Sequence, residues 1–434
     1  MKMTDIYEIA EYTLEALKKS GADAAQCIVS KSKKDELNVD GGKFSLMRST
    51  FNTSISMKAI KDGKKGVTSI NQATEEAIDE AADQCISAAQ SSVPDEAEQI
   101  APFTAKAEYK TGVFEPELDK LFDRIEEFMS QTAAEYPKII LEQLISDYEH
   151  SEKLYMNTNG TSLKYEHGEY SFNTMFSAHE GEKASSFNGY FCALDNLDKP
   201  FMDAGMQRQL LEESEKQLNT VSPSEKFVGK VIYSPDCFNE LLQTALENFA
   251  SSGVLIDGTS PWKDALNTKV ASEKLNLRSV PLDGRTVVGQ RFTSDGYPVE
   301  DMDIIIDGVL KTFILSQYGA NKTGFPRSLN SGNNLEVLPG DKALEEMISG
   351  IDRGLIVNRF SGGQPSSNGD FSGVAKNSFL IENGKVVSAV SETMISGNII
   401  DMLNNIVAIS KEQTMDGLSF MPWAEFDGVT VSGK

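Results

Sequence analysis

The chain has 434 residues, enough for two or three domains at about 150 residues each. Hydrophobic residues make up 40% and charged residues 24%, a balance that excludes a wholly disordered polymer. With 65 Asp and Glu against 41 Lys and Arg the net charge is −24, which argues against gripping duplex phosphates or an anionic membrane surface. Met1 to Leu17 mixes Lys2, Asp5, Glu8, Glu11 and Glu15 with apolar positions and so lacks a signal-peptide core. No run of 18 apolar residues occurs, and Cys27, Cys85, Cys192 and Cys237 form no C-x-x-C pair. A cytoplasmic protein with buried free thiols is expected.

The first element is an amphipathic helix. Thr4 is placed to cap it, Ile6, Ile9, Ala10, Leu14 and Leu17 share a face, and Gly21 stops it. Short β-branched strands follow from Ala24 to Ile70 with Asp62-Gly63 as a hairpin turn, and Thr74 caps a second helix to about Ala89. Residues 1–92 therefore read as a helix–sheet–helix α/β domain. Ser91 to Gly112, with Pro94 and Pro102, reads as a linker. The middle segment, 113–220, begins with a helix whose stripe is Leu118, Leu121, Phe122, Ile125 and Met129. Strands run from Lys138 to Leu197 with a hairpin at Asn159-Gly160, and a helix covers Phe201 to Leu218. Val221-Ser222-Pro223-Ser224 marks a second boundary.

Residues 226–434 read as a β-rich domain, a large antiparallel sheet or a barrel. A helix from Asp236 to Ser251 presents Phe238, Leu241, Leu242, Ala245 and Phe249 on one face. Asp307-Gly308 and Asn383-Gly384 are strong hairpin signals, and helices fall near Leu344–Ile348 and Ile399–Ile406. The fold class expected is α+β.

The motif search excludes more than it finds. No two of the 33 glycines lie two positions apart, so neither the dinucleotide fingerprint nor the kinase Gly-rich loop occurs; Walker A and G-x-S-x-G are missing too. The three histidines, His150, His167 and His179, all fall in the strand-rich middle. His179-Glu180 starts like a zinc-protease motif, but Lys183 and Ala184 follow where a second imidazole is needed. His167 and His179 are left free to meet across strands, and no role is assigned to any of the three. The most unusual composition is Arg359 to Gly373, where Gly, Ser, Asn and Asp concentrate. Within it Asn368, Gly369, Asp370, Phe371 and Ser372 form a candidate ligand-facing loop.

At this point the chain resembles the TldD/PmbA family, historically called modulators of DNA gyrase, and within it the PmbA/TldE-like branch. The resemblance covers nearly the whole sequence. It is carried by Ser20-Gly21-Ala22-Asp23-Ala24-Ala25, by Ile60-Lys61-Asp62-Gly63, and by a C-terminal series. That series includes Ile306-Asp307-Gly308-Val309-Leu310, Tyr318-Gly319-Ala320, Leu338-Pro339-Gly340, Gly369-Asp370-Phe371-Ser372-Gly373 and Ile395-Ser396-Gly397-Asn398. The family implies a zinc metallopeptidase acting on peptides and unfolded polypeptides. Its metal-bearing members carry H-E-x-x-x-H on the helix opening the C-terminal half, with a further Cys ligand near the C-terminus.

The helix from Asp236 to Ser251 has no His, and the last Cys is Cys237, so this chain lacks that first shell. The resemblance then implies a non-catalytic subunit with no catalytic, metal or cofactor residue of its own. Zinc is expected only in a TldD-like, H-E-x-x-x-H-bearing partner, with which this subunit encloses the peptide chamber; isolated, it is expected to form a homodimer. Two rivals stand beside this. One is a regulatory protein that modulates gyrase without peptidase activity or direct nucleic-acid contact; the other is an enzyme using unrecognised carboxylates as acid and base.

Overall fold

The computed structural model describes residues 3–223 and 225–433; Met1, Lys2, Lys434 and Ser224, the last residue of the expected second boundary, lie outside them. The N-terminal half contains α1 (Ile6–Lys19), β1 (Ala24–Asp40), β2 (Lys43–Lys61), β3 (Lys64–Ile70), α2 (Glu75–Ser91), β4 (Lys106–Gly112), α3 (Leu118–Glu135), β5 (Ile139–Asn157), β6 (Ser162–Glu180), β7 (Lys183–Ala184), β8 (Asn188–Leu194) and α4 (Gln207–Lys216). Its strands form one sheet in the order β3-β2-β1-β5-β6-β4, with β7 and β8 also paired to β6. β1 pairs with β5 from Gln26 opposite Asn157 to Asp40 opposite Gln143, so the segments 1–92 and 113–220 contribute to a single sheet.

The stretch expected to be a linker is one only in part. Lys106–Gly112 is β4, a parallel neighbour of β6. Its alternation of Lys106, Glu108 and Lys110 with Ala107, Tyr109 and Thr111 carries no apolar run, because an edge strand has little to bury. The cap of α1 is Asp5, whose carboxylate accepts from the Glu8 N–H at 2.9 Å, rather than Thr4. Thr74 does cap α2, accepting from Ala77 N–H. In α3 the buried stripe is Leu121, Ile125, Phe128 and Thr132, with the expected Leu118 and Met129 packed at its border, while Phe122 stacks on Phe44 at 4.4 Å. Asp62 and Gly63 both take positive φ, as a type I′ turn requires. At Asn159-Gly160 only Gly160 does; the Asn157 side chain builds that turn by accepting from Asn159 and Thr161 N–H at 3.0 Å.

The C-terminal part contains β9 (Thr220–Val221), β10 (Phe227–Tyr233), α5 (Pro235–Phe249), α6 (Ser252–Ile256), β11 (Leu277–Ser279), β12 (Met302–Ile306), β13 (Val309–Leu310), α7 (Gln317–Thr323), β14 (Leu335–Val337) and α8 (Leu344–Ser349). It continues with β15 (Arg353–Val357), β16 (Arg359–Gly362), β17 (Asp370–Lys376), β18 (Phe379–Glu382), β19 (Lys385–Val390), β20 (Met394–Asn398), α9 (Ile399–Asn404), β21 (Ile406–Met415) and β22 (Phe420–Ser432). The fold is α+β with a β-rich C-terminal region. Its sheet is mixed rather than wholly antiparallel: β10 runs parallel to β15, and β14 to β22. Asp307-Gly308 and Asn383-Gly384 make the two expected hairpins, with positive φ at all four residues.

Four clusters of buried side chains hold this together, the smallest made of Tyr155, Leu163 and Phe292. One packs Ile9, Leu17, Ile78 and Cys85 from the helices on Cys27, Val29, Ile55 and Met57 of the sheet. A second joins the halves, placing Phe128, Phe172 and Tyr190 in one cluster with Ile356, Ile381 and Trp423. The third lies under α5, whose Phe238, Leu241, Leu242, Ala245 and Phe249 are all buried, each worth roughly 1–3 kcal/mol of burial. A loop from the C-terminal part also grips the sheet: Thr104 Oγ1 donates to Gly296 O at 2.7 Å, and Gln26 Nε2 donates to Ser294 O at 3.2 Å.

Candidate functional site

The strands β1, β2 and β5 are apolar near their ends and polar in the middle. Alternation sends Val29 of β1 and Leu154 of β5 toward the helices, so Ser30, Ser32, Lys153 and Ser151 face the other way. Register turns these into rows across the sheet. One runs Ser54, Ser30, Lys153, Tyr165; the next runs Asn52, Ser32, Ser151, His167; beyond them Glu149 stands opposite Glu169. This polar floor faces a cleft of about 960 Å³ between the two halves of the protein.

The opposite wall is α5. Its apolar face is anchored on β22, with Phe238 edge-on to Phe426 at 5.8 Å. Asn239, Gln243 and Glu247, spaced by one turn each, line the cleft. Gln243 and Glu247 also line a second cavity of about 390 Å³, which Glu240 shares with a third of about 540 Å³. One helix face thus touches three adjoining spaces. Burial pushes the Asp236 carboxyl at the start of this helix up to about 6, with nearby Asp416 and Glu240 adding to the effect. Burial also raises Glu240, against the pull of Arg359.

The structure separates the three histidines. His167 is buried in the cleft wall; its Nδ1 lies 2.8 Å from Thr111 Oγ1, and its Nε2 lies 2.8 Å from Glu169 Oε2, off the line of a good hydrogen bond. His150 Nε2 sits 3.0 Å from Glu166 Oε1, on the opposite face of the sheet. His179 bonds Ser177 Oγ at 2.9 Å. His167 and His179 do not meet across strands: both lie on β6, twelve positions apart, which is about 40 Å of extended chain.

The expected loop is partly strand. Asp370, Phe371 and Ser372 open β17 and pair with Asn398, Gly397 and Ser396 of β20. Asn368 and Gly369 make the turn before it, with Gly369 at φ +93°. Asp370 is held by the Asn398 and Asn368 amides, each at 2.9 Å, which draw its carboxyl below the usual range. Of the five residues Phe371 lines the second cavity, where it meets Phe360 edge-on at 5.6 Å. The polar rows of the first sheet were missed by sequence reasoning. Their signal was Ser and Asn at alternate positions inside strands with apolar ends, but only register brings those positions together.

Residues 226–433 match the profile of the PmbA/TldA metallopeptidase C-terminal domain, and residues 25–89 match that of PmbA/TldA metallopeptidase domain 1. The chain belongs to the PmbA/TldD metallopeptidase family. It is 31% identical over 152 residues to metalloprotease PmbA of Escherichia coli O157:H7, covering 34% of either chain. It is 28% identical over 239 residues to a zinc metalloprotease TldD homolog of Saccharolobus solfataricus, covering 51% of this chain and 53% of that one. The aligned stretches thus span about a third to a half of these relatives. The fold matches TldE of Thermococcus kodakarensis with a TM-score of 0.82 at 22% identity, over 98% of this chain and 100% of that one. It also matches a Bacteroides thetaiotaomicron protein carrying the label modulator of DNA gyrase, with a TM-score of 0.84 at 24% identity over the whole of both chains.

Family membership raises the question of zinc. In the spacing of H-E-x-x-x-H, α5 reads Asn239-Glu240-Leu241-Leu242-Gln243-Thr244. The Glu is there, but an amide and a hydroxyl stand at the two His places, and neither is a good zinc donor. Cys237 on the same helix is buried with its thiol pushed well up, which disfavours the thiolate a metal needs. Among the described residues no group of three or more His, Cys, Asp or Glu is arranged to hold a metal ion. The donor set of this helix does not fit zinc. Among the described residues, no helix is long and apolar enough to cross a membrane.

Proposed function

We propose that this chain is a PmbA/TldE-like, non-catalytic subunit of a TldD/PmbA-type zinc peptidase, and that it helps hold peptides and unfolded polypeptides for a TldD-like partner to cleave. The observation that carries this reading is α5: a packed helix at the meeting of three cavities, presenting Asn239 and Thr244 where a metal-binding helix presents imidazoles. Its surroundings suit an extended chain. Among the described residues β16 (Arg359–Gly362) pairs with no strand but β17, and its Phe360, Ser361 and Gly362 line the second cavity. A peptide joins a strand edge through main-chain hydrogen bonds with little sequence preference. Asn368 to Ser372, through Phe371, then form part of the wall.

The contact with the partner falls on β2. Its outer edge from Lys43 to Ser54 lies beyond the reach of β3, which pairs only with Ile55–Lys61. Met47 and Phe51, both 73% exposed, stand along that stretch. An open edge with exposed apolar side chains is an association surface, and in the isolated chain the same edge supports a homodimer. Co-expression with the H-E-x-x-x-H-bearing relative from the same cell tests the reading: the two co-purify, and peptide cleavage requires both. Cleavage by the relative that never depends on this chain contradicts it.

A further inference from the structure

The charges of the cleft floor do not cancel. On that wall Glu149 pairs with Lys34 at 2.9 Å, while Glu169 Oε2 lies 2.8 Å from His167 Nε2, off the line of a good hydrogen bond. Lys153, in the middle of the wall, has no hydrogen-bond or ion-pair partner among the described residues. Its ammonium lies 5.8 Å from the centre of the Phe292 ring. Burial alone acts on it, lowering its pKa with no carboxylate to raise it again.

Arg291, the residue before Phe292, is in a similar state. Its Nη1 donates to the carbonyls of Pro281 and Gln290 at 2.6 and 3.0 Å, and its guanidinium sits 5.5 Å from the centre of the Tyr165 ring. Its other nitrogens have no partner among the described residues. Tyr165 is directly opposite Lys153 in the β5–β6 register, so the two cations flank one pair of aromatic rings. In a chain of net charge −24, two cations lining one cleft without an ion-pair partner among the described residues are conspicuous. A half-buried charge left without a counter-ion is unfavourable until a ligand supplies one.

We infer that Lys153 and Arg291 form a carboxylate-binding subsite in the cleft, which takes the C-terminal carboxylate or an acidic side chain of a bound peptide. The inference rests on the reading of the cleft as a peptide chamber. The rings of Phe292 and Tyr165 supply an apolar surround in which a charge-assisted hydrogen bond is strong, and the planar guanidinium suits a carboxylate. Glu247 and Asp416, also lining the cleft, would repel that carboxylate and so direct it toward the two cations.

The test uses the full chain and three labelled peptides of one uncharged sequence: a free C-terminus, an amidated C-terminus, and an amidated form with one internal Glu. Binding is read by fluorescence anisotropy, and N-acetylglycine against N-acetylglycinamide is compared by NMR titration. The free-carboxylate peptide is expected to bind at least ten-fold more tightly than the neutral amide. If the Glu peptide matches it, the subsite takes acidic side chains; if not, it takes chain ends. Lys153→Met should remove the preference without lowering Tm, and Lys153→Arg should keep most of it. Equal binding of all three peptides overturns the subsite but leaves the peptide chamber intact. Absent peptide binding with retained selectivity for N-acetylglycine overturns the chamber and keeps the subsite; loss of both overturns both.

Discussion

On the sheet wall of the cleft Glu149 pairs with Lys34 and Glu169 stands beside His167, and Lys153 is left without an ion-pair partner among the described residues; Arg291, on the loop above it, is left in the same way. On the helix wall the order is reversed: Glu247, beside Asn239 and Gln243, has no ion-pair partner among the described residues, and Asp236 and Glu240, both raised by burial, face the adjoining cavities. The walls are equally polar but of opposite character. Under the proposed function, a hydrophilic cleft lined by two such walls would orient a charged, extended guest. The sheet wall was set by β-register and the helix wall by one turn-spaced face of α5.

The largest expected effect comes from loosening the helix wall. Phe238→Ala removes a buried ring wedged against Phe426 and should cost about 3–5 kcal/mol in chemical denaturation, with loss of peptide binding. A cost under 1 kcal/mol would mean that α5 is not anchored as described.

Behind that wall, burial pushes Glu213 of α4 up to about 7, although it accepts hydrogen bonds from Asn358 at 2.6 Å and Gln209 at 2.8 Å. Its folded pKa lies above the unfolded value of 4.5, so the folded state holds the proton more tightly between those two values. Stability from this group is greatest below about pH 4.5 and falls as pH rises through 7. Glu213→Gln should therefore stabilise by about 1–3 kcal/mol at pH 8 and by nothing measurable at pH 4.5, read from melting curves at both values. A gain that is the same at both pH values would break the assignment.

Phe51→Lys places a charge on the open part of β2, on the face of the strand opposite the polar floor. It should lower co-purification with the partner about ten-fold, near 1.4 kcal/mol, while leaving Tm unchanged. Unaltered recovery of the complex would move the interface elsewhere. The smallest effect belongs to the floor itself: Ser151→Ala should change stability by less than about 0.5 kcal/mol but weaken peptide binding measurably.

Much of this fold was legible along the chain because its signals are local. Thr74 as a cap, Asp62-Gly63, Asp307-Gly308 and Asn383-Gly384 as turns, and the apolar face of α5 each depend on a few adjacent residues. β4 was hidden because a polar edge strand and a linker have the same composition. The Asp5 cap lost to Thr4 in the reading because two neighbouring residues can each cap, and only backbone geometry chooses. The site was less legible still. Ser30, Ser32, Ser151 and Lys153 become one surface only through the pairing of β1 with β5, residues more than a hundred positions apart. His167 and His179 looked free to meet because nothing local said they share a strand.

The central claim is that this chain lends walls to a peptidase whose metal belongs to another subunit. Metal analysis of the purified, isolated chain, run alongside a peptidase assay with and without chelator, tests it most directly. The account predicts less than a stoichiometric amount of zinc and no cleavage, with activity appearing when the H-E-x-x-x-H-bearing partner is added. One zinc per chain together with chelator-sensitive proteolysis would contradict it.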